Sequence, residues 1–466
     1  MKGMLKMSAL DWLVILAYLA VMLYIGYHSM KTVKTDEDFV LAGRNVGNIY
    51  IILSLFASFT GLSGLFGTPQ YVYEYGIAGW WWWATFPIGV FIMGMTMAKL
   101  LRRRMHVTLP DVVDVNHSSK AVRVAASLVT VWNYLAWTAG QVAGIVLVIT
   151  TFTDLNGTAA VIVAYIIIVL FTLLGGFRAV VYTDSLQAVL FLVVLGLVIP
   201  AVLLHYDVPE ALAQTTSIDG FYKLFGSVPA GTMITWWLLA PAGFIDNMAL
   251  QRVFAAKDEK SAKGNITAAF LLMIIFGLIL MFIGIMARFI LPAGSDPASA
   301  MLNLSQLVLP KGMLGLLVAA FAGVAVSTAS STLLVCSSTL EQDVYSVLRN
   351  TGKEKPASSL LVNRLFVVLV GLIALVLALK VPSVTQILMY GYSVYVPGLL
   401  LPVIAGSFHW KLSDRAMLLT IVSGVLTAVI LILMGEPFPG SLGGLIVSAI
   451  PFCIGLWNGR QRAEVH

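Results

Sequence analysis

The chain has 466 residues, of which 59% are hydrophobic and only 11% charged, against about 25% charged in a soluble domain. Mean hydropathy is +0.93. So little charge cannot cover the water-facing surface of a chain this long, and the polar–apolar alternation of an outer-membrane barrel is missing. What remains is an all-α polytopic membrane protein, with the lipid bilayer as its solvent and no nucleic-acid partner.

Thirteen apolar stretches approach or exceed the ~20 residues that a spanning helix needs. They run over 10–27, 49–68, 79–101, 123–152, 158–174, 178–205, 231–254, 263–291, 312–346, 360–379, 383–407, 415–434 and 439–457. Sorting the loops by alternate sides places 22 of the 28 Lys and Arg on one side. The other side holds Lys2, Lys6, Lys223, Arg288, Lys311 and Lys380. Basic loops stay cytoplasmic, so the N-terminus is expected outside and the C-terminus inside a plasma (inner) membrane. The net charge of +6 is therefore a topology signal, and no Lys or Arg is placed at the midplane.

The first span is too long for a signal-peptide core and lacks a clear small-x-small cleavage site. The second carries Gly61, Gly64 and Gly67, then Pro69. Each Gly weakens a helix by about 1 kcal/mol and Pro by about 3 kcal/mol. A helix break is one reading, and close packing through small residues is the other. Trp80 to Trp83 fall at the outer end of the third span, where an aromatic belt is expected.

Asp184 lies six residues, about 9 Å, into the sixth span. A carboxylate there costs about 2.5–3.5 kcal/mol. A salt bridge to Arg178 is disfavoured, because six residues on a helix put the two on opposite sides. The seventh span carries Pro241-Ala242-Gly243 and then Asp246-Asn247, a second candidate break. The ninth holds Ser327-Thr328-Ala329-Ser330-Ser331-Thr332. Bonding back to the preceding turn explains one or two such hydroxyls, but six small residues in a row poorly. Hydroxyl and carbonyl oxygens suit a hard cation, and with few carboxylates nearby a monovalent one.

No phosphate-binding loop, His-Glu-x-x-His or Cys-x-x-Cys motif occurs, and Cys336 and Cys453 both lie within spans. The six histidines sit at span ends or in loops. The energy for any work must then come from a gradient, and the chain reads as a transporter rather than an enzyme. The two candidate breaks open units of five spans, 49–205 and 231–407. An odd number of spans inverts the second unit relative to the first. The layout is a single transmembrane domain over 1–466, with an extra N-terminal helix at 10–27 and two extra helices at 415–457.

These residues resemble the sodium:solute symporter family. The resemblance rests on Gly175-Gly176-Phe177-Arg178-Ala179-Val180-Val181-Tyr182-Thr183-Asp184-Ser185-Leu186-Gln187, on Ser327-Thr328 with Leu333 to Ser338 and Asp343-Val344-Tyr345, and on Gln251-Arg252 with Ala255-Ala256-Lys257-Asp258. It implies about 13 helices with an inverted five-helix-repeat, leucine-transporter-like core. It also implies Na⁺ as the coupling ion for uptake of a small organic solute by alternating access. Carried over, the family's common sodium site falls on the carbonyls of Ala57, Thr60 and Val324 and the hydroxyls of Ser327 and Thr328. A second site, present in some members, matches Asp184, Ser330 and Ser331. Proline-permease-like members lack one of those serines, so two Na⁺ per cycle are expected here.

Those members also carry an aspartate where this chain has Phe59. The candidate substrate pocket is Phe59, Ser63, Gln70, Trp137, Gln141, Pro241, Phe244 and Tyr392. A solute carboxylate would have to rest on half-helix N-termini. The competing readings are a facilitative pathway, a proton-coupled carrier using Asp184, and a transporter-like sensor. No obligate protein partner is inferred.

Overall fold

The computed structural model describes residues 8–31, 41–106, 108–114, 119–152, 156–310, 312–349, 360–381, 384–435 and 437–464. The chain ends used in the side assignment, 1–7 and 465–466, lie outside the described residues, as do His117 and Lys311. Every regular element among the described residues is helical.

Helix α1 (Ala9–Met30) starts at Ser8, which forms a capping box with Asp11. The next span is broken into α2 (Asn48–Phe59) and α3 (Leu62–Tyr75), followed by α4 (Trp81–Thr96). Then come α5 (Lys120–Phe152) and α6 (Gly157–His205). A second broken span comprises α7 (Ala230–Trp237), α8 (Leu239–Phe244) and α9 (Asn247–Ala255). The rest are α10 (Glu259–Ile290), α11 (Met313–Thr339), α12 (Leu360–Lys380), α13 (Val384–Ser407), α14 (Asp414–Leu433) and α15 (Pro437–Glu464).

Among the described residues, ten helices are long and apolar enough to cross a membrane, and Asn48–Phe59 and Gly157–Leu173 are shorter apolar helices. One boundary differs from expectation. No loop separates 158–174 from 178–205, because α6 is assigned as one helix of 49 residues. At 1.5 Å per residue it would extend about 74 Å, more than twice the hydrocarbon thickness, so it cannot make a single straight crossing.

Helix α11 is central. It packs on α5 and α6 and also meets α1, α2 and α12. Of the most apolar stretch of Met313–Arg349, 83% is buried, and of Lys120–Thr150, 82%. For Ala9–Ser29 the share is 17% and for Ser441–Gly459 22%, so α1 and α15 lie at the periphery with most of their surface exposed. Beyond Thr339, α11 continues as a π-helical turn, Leu340–Tyr345, that buries Asp343 against Arg123.

The aromatic-belt reading of Trp80 to Trp83 fails for two of the four. Trp82 and Trp83 are buried, and their indole N–H groups donate to the carbonyls of Ser63 (3.3 Å) and Met273 (2.9 Å). The 3₁₀ turn Gly76–Trp80 rotates the start of α4 inward, so the run enters the core. Small residues let α4 and α8 approach at backbone contact. A side chain on Gly89 would overlap the Ala240 carbonyl, and one on Gly243 the Phe86 carbonyl.

This crossing makes a prediction. Gly89→Ala should lower the thermal stability of the purified protein by about 1–3 kcal/mol of overpacking. Gly264→Ala, where nothing lies within 4 Å of the added carbon, should leave it unchanged or slightly higher. Paired unfolding curves in one detergent check this.

Candidate functional site

The break in the second span sets the geometry. The last bond of the α2 ladder runs from Thr60 N–H to the Phe56 carbonyl (3.0 Å), which also accepts from the Thr60 hydroxyl (2.6 Å). Gly61 then turns out of the helix with ψ 163°, and α3 restarts. The carbonyls from Ala57 to Thr60 are thereby released from the ladder. At the restart, the Leu62 N–H donates to Gln141 Oε1 at 3.2 Å.

The hydroxyl run of α11 faces this break. Thr328 donates to the released carbonyl of Ser58 at 3.3 Å. Ser327 donates to Asp184 Oδ1, and Thr332 shares a 2.7 Å bond with Thr138 of α5. Ser330 is buried, and its hydroxyl has no hydrogen-bond partner. Ala57, Thr60, Val324, Ser327 and Thr328 are all fully buried. The run is thus used for contacts with α2, α5 and α6 rather than for bonding back to its own turn alone.

Asp184 is fully buried on α6, and its partner is a residue that the charge sorting placed elsewhere. Arg252 of α9, assigned by sequence to the cytoplasmic loops, lies inside the protein with its Nη2 3.2 Å from Asp184 Oδ2. The expectation that no Lys or Arg reaches the interior is therefore corrected. Asp184 Oδ2 also accepts from Ser54 (2.5 Å) and Ser58 (3.1 Å). The guanidinium donates in turn to Ser58 (2.7 Å), Ser331 (3.1 Å), Ser54 and the Met248 carbonyl, and lies over the Phe177 ring. Arg178 is not the partner; it approaches the Tyr182 ring instead.

Two signals pointed to Arg252. It falls within the apolar stretch 231–254, and it follows the polar pair Asp246-Asn247. Side counting hides such a residue because it assumes that every cation lies in water. Ser54 and Ser58, one turn apart on α2, were missed for a related reason: as single serines in an apolar helix they carry no pattern.

The second break, at Ile245–Asp246, holds another buried carboxylate. Asp246 caps α9 by accepting from the Ala249 N–H (2.7 Å), and it also accepts from the Tyr134 hydroxyl (2.6 Å). Tyr134 in turn accepts from the Asn247 N–H, and Tyr395 donates to the Ile245 carbonyl.

Four of the expected pocket residues, Phe59, Ser63, Trp137 and Tyr392, line one cavity of about 50 Å³ beside the α2 break. Gln141 caps α3 next to it. Gln70 bonds to Glu74, and Pro241 and Phe244 are half-buried within α8; these three do not line the cavity. Beyond it lies a vestibule of about 700 Å³, with Tyr71, Tyr75, Trp82, Trp236, Gln386 and Met389 in its wall. The opposite end is sealed. Arg44 donates to the Phe254 carbonyl (3.0 Å), Arg102 to Ala256 (2.6 Å) and Arg104 to Ser407 (2.7 Å), and Arg123 bridges Asp111 and Asp343.

The model of the sodium:solute symporter family matches residues 39–424. Sodium/proline symporter 2 of Staphylococcus saprophyticus is 26% identical over 446 residues, 91% of this chain and 86% of its own. The osmoregulated proline transporter OpuE of Bacillus subtilis is 26% identical over 469 residues, 93% of each. Among solved structures, a substrate-bound, outward-open Na⁺-coupled sialic acid symporter superposes with a TM-score of 0.81 at 19% identity, over 97% of this chain and 98% of that one. A nucleobase-cation-symport-1 family transporter in a closed conformation gives 0.53 at 14% identity, over 92% and 95%.

Removing one partner of a buried ion pair costs about 3–5 kcal/mol, because the other charge is stranded. Arg252→Gln should therefore destabilise the protein strongly in thermal unfolding. Adding Asp184→Asn to that variant should recover much of the loss.

Proposed function

The chain belongs to the sodium:solute symporter family, and on that premise we propose that this Na⁺-coupled solute transporter carries two Na⁺ inward with each small organic solute. The observation that carries this reading is the meeting of the α2 break with the hydroxyl run of α11 beside Asp184. The first ion takes the carbonyls of Ala57, Thr60 and Val324 and the hydroxyls of Ser327 and Thr328. The second takes Asp184 on its Oδ1 side with Ser330 and Ser331. The unpartnered hydroxyl of Ser330 supports this assignment, since it has oxygen to offer and nothing to bond. Arg252 holds the other carboxylate oxygen and neutralises Asp184 until the ion arrives.

Each Na⁺ supplies about 2.3 kcal/mol per 100 mV, so a second ion raises the attainable accumulation about fiftyfold. Residues 49–205 and 231–407 act as two inverted five-helix units, each opened by a broken helix. The first span and the residues 415–457 flank this core. With the N-terminus outside and the C-terminus in the cytoplasm, the vestibule opens outward and the arginine contacts seal the inner face. Alternating access then requires those inner bonds to part while the vestibule closes. Arg102→Ala should shift the balance inward, read as faster labelling of a cysteine placed on the sealed side.

Uptake of a labelled solute panel by the reconstituted protein, with and without a sodium gradient, tests the coupling directly. Sodium-independent uptake would overturn it in favour of a facilitative or proton-driven pathway. Ser327→Ala should raise the sodium concentration for half-maximal uptake more than about tenfold, the loss of one strong ligand. Asp184→Asn should lower the Hill coefficient for sodium towards one.

A further inference from the structure

The cavity beside the α2 break is walled by six aromatic rings: Phe59, Trp82, Trp83, Phe86, Trp137 and Tyr392. Four of them form a circuit. Centroids are 5.3 Å apart for Phe59–Phe86, 5.8 Å for Phe86–Trp137, 6.0 Å for Trp137–Tyr392 and 6.1 Å for Phe86–Tyr392. Among the described residues, no Lys, Arg, Asp or Glu lines the cavity, and Ser63 brings the one aliphatic hydroxyl.

Negative charge stands one layer behind the rings. The Asp246 carboxylate is held by Tyr134, whose ring lies 6.2 Å from Trp137 and 6.1 Å from Tyr395. Arg252, the guanidinium nearest along the chain, is paired directly with Asp184 and reaches Asp246 only through space, with no hydrogen bond to it. Ring faces backed by an anion favour a cation in the cavity. They offer few acceptors, however, and a primary ammonium has three N–H donors to satisfy. An ammonium whose hydrogens are replaced by methyl groups has no such need and keeps its charge. The volume of about 50 Å³ holds roughly three or four water-sized units, the size of a trimethylammonium head. The Trp137 indole N–H is buried beside Tyr392 with no well-formed hydrogen bond, and it can donate to an oxygen on the same molecule.

We propose that the transported solute carries an N-alkylated ammonium head caged by these rings, as in choline-type and betaine-type compounds. This rests on the transport reading above and narrows its solute to one chemical class. Phe59 is consistent with it: the ring supplies a face where a carboxylate would call for N–H donors.

The test uses the purified full chain in nanodiscs, in potassium buffer with and without added sodium. Binding of choline, glycine betaine, proline, glycine and 3,3-dimethylbutan-1-ol, the uncharged isostere of choline, is followed by titration calorimetry. Choline or glycine betaine should bind at least about tenfold more tightly than the isostere, glycine and proline, and the choice between the first two identifies the tail. Trp137→Leu should abolish that preference, and Trp137→Phe, which keeps a ring face, should retain much of it. Equal binding of the uncharged isostere, or tightest binding of proline or glycine, would overturn the cage. So would an absence of ammonium binding in a protein whose tryptophan fluorescence still responds to sodium, an outcome that leaves the transport reading standing. Absence of both responses would overturn the transport reading together with the cage.

Discussion

A carboxylate and a guanidinium buried against each other inside a membrane protein constrain everything around them. Each alone is expensive in that environment. Together they persist only when every remaining donor and acceptor is met. Asp184 and Arg252 meet this condition by drawing serines from two further helices, Ser54 and Ser58 on α2 and Ser327 and Ser331 on α11. Four elements, α2, α6, α9 and α11, are tied at this point. It adjoins the place where α2 releases its carbonyls. The pair therefore joins the broken helix to the hydroxyl helix, and any ion bound to Asp184 acts on both.

The two breaks have different occupations. At the first, carbonyls are released and α11 hydroxyls face them, an arrangement suited to a cation. At the second, Asp246 and Tyr134 cap the start of α9. A solute carboxylate resting there would meet a fixed negative charge, and the start of α3 is already held by Gln141. The half-helix N-termini are thus less open to a carboxylate than the sequence implied. The chemistry shifts toward rings and an indole N–H, with Asp246 setting the sign of the potential.

Helical spans, the break at Gly61 and a carboxylate within a span at Asp184 were legible in the sequence. Each leaves a local mark: a long apolar run, a glycine series, a lone charge in a span. What escaped was the pairing. Arg252 lies 68 positions from Asp184, and neither hydropathy nor side counting registers a cation that neutralises a distant anion. The tryptophan run misled for a similar reason. Its composition suits an interface, but the turn at Gly76–Trp80 aims Trp82 and Trp83 inward, and that rotation is set by tertiary packing. Phe59, Ser63, Trp137 and Tyr392 converge on one cavity, whereas Gln70, Pro241 and Phe244 do not line it, because which face of a helix turns inward is set by tertiary packing.

The most direct test of the central claim needs no knowledge of the solute. Equilibrium binding of ²²Na⁺ to the purified protein, measured without substrate, should saturate at two equivalents per chain. Asp184→Asn should remove one of them and Ser327→Ala should weaken both, since its hydroxyl borders each site. A protein that binds no sodium, or whose binding is the same in both variants, would contradict the account.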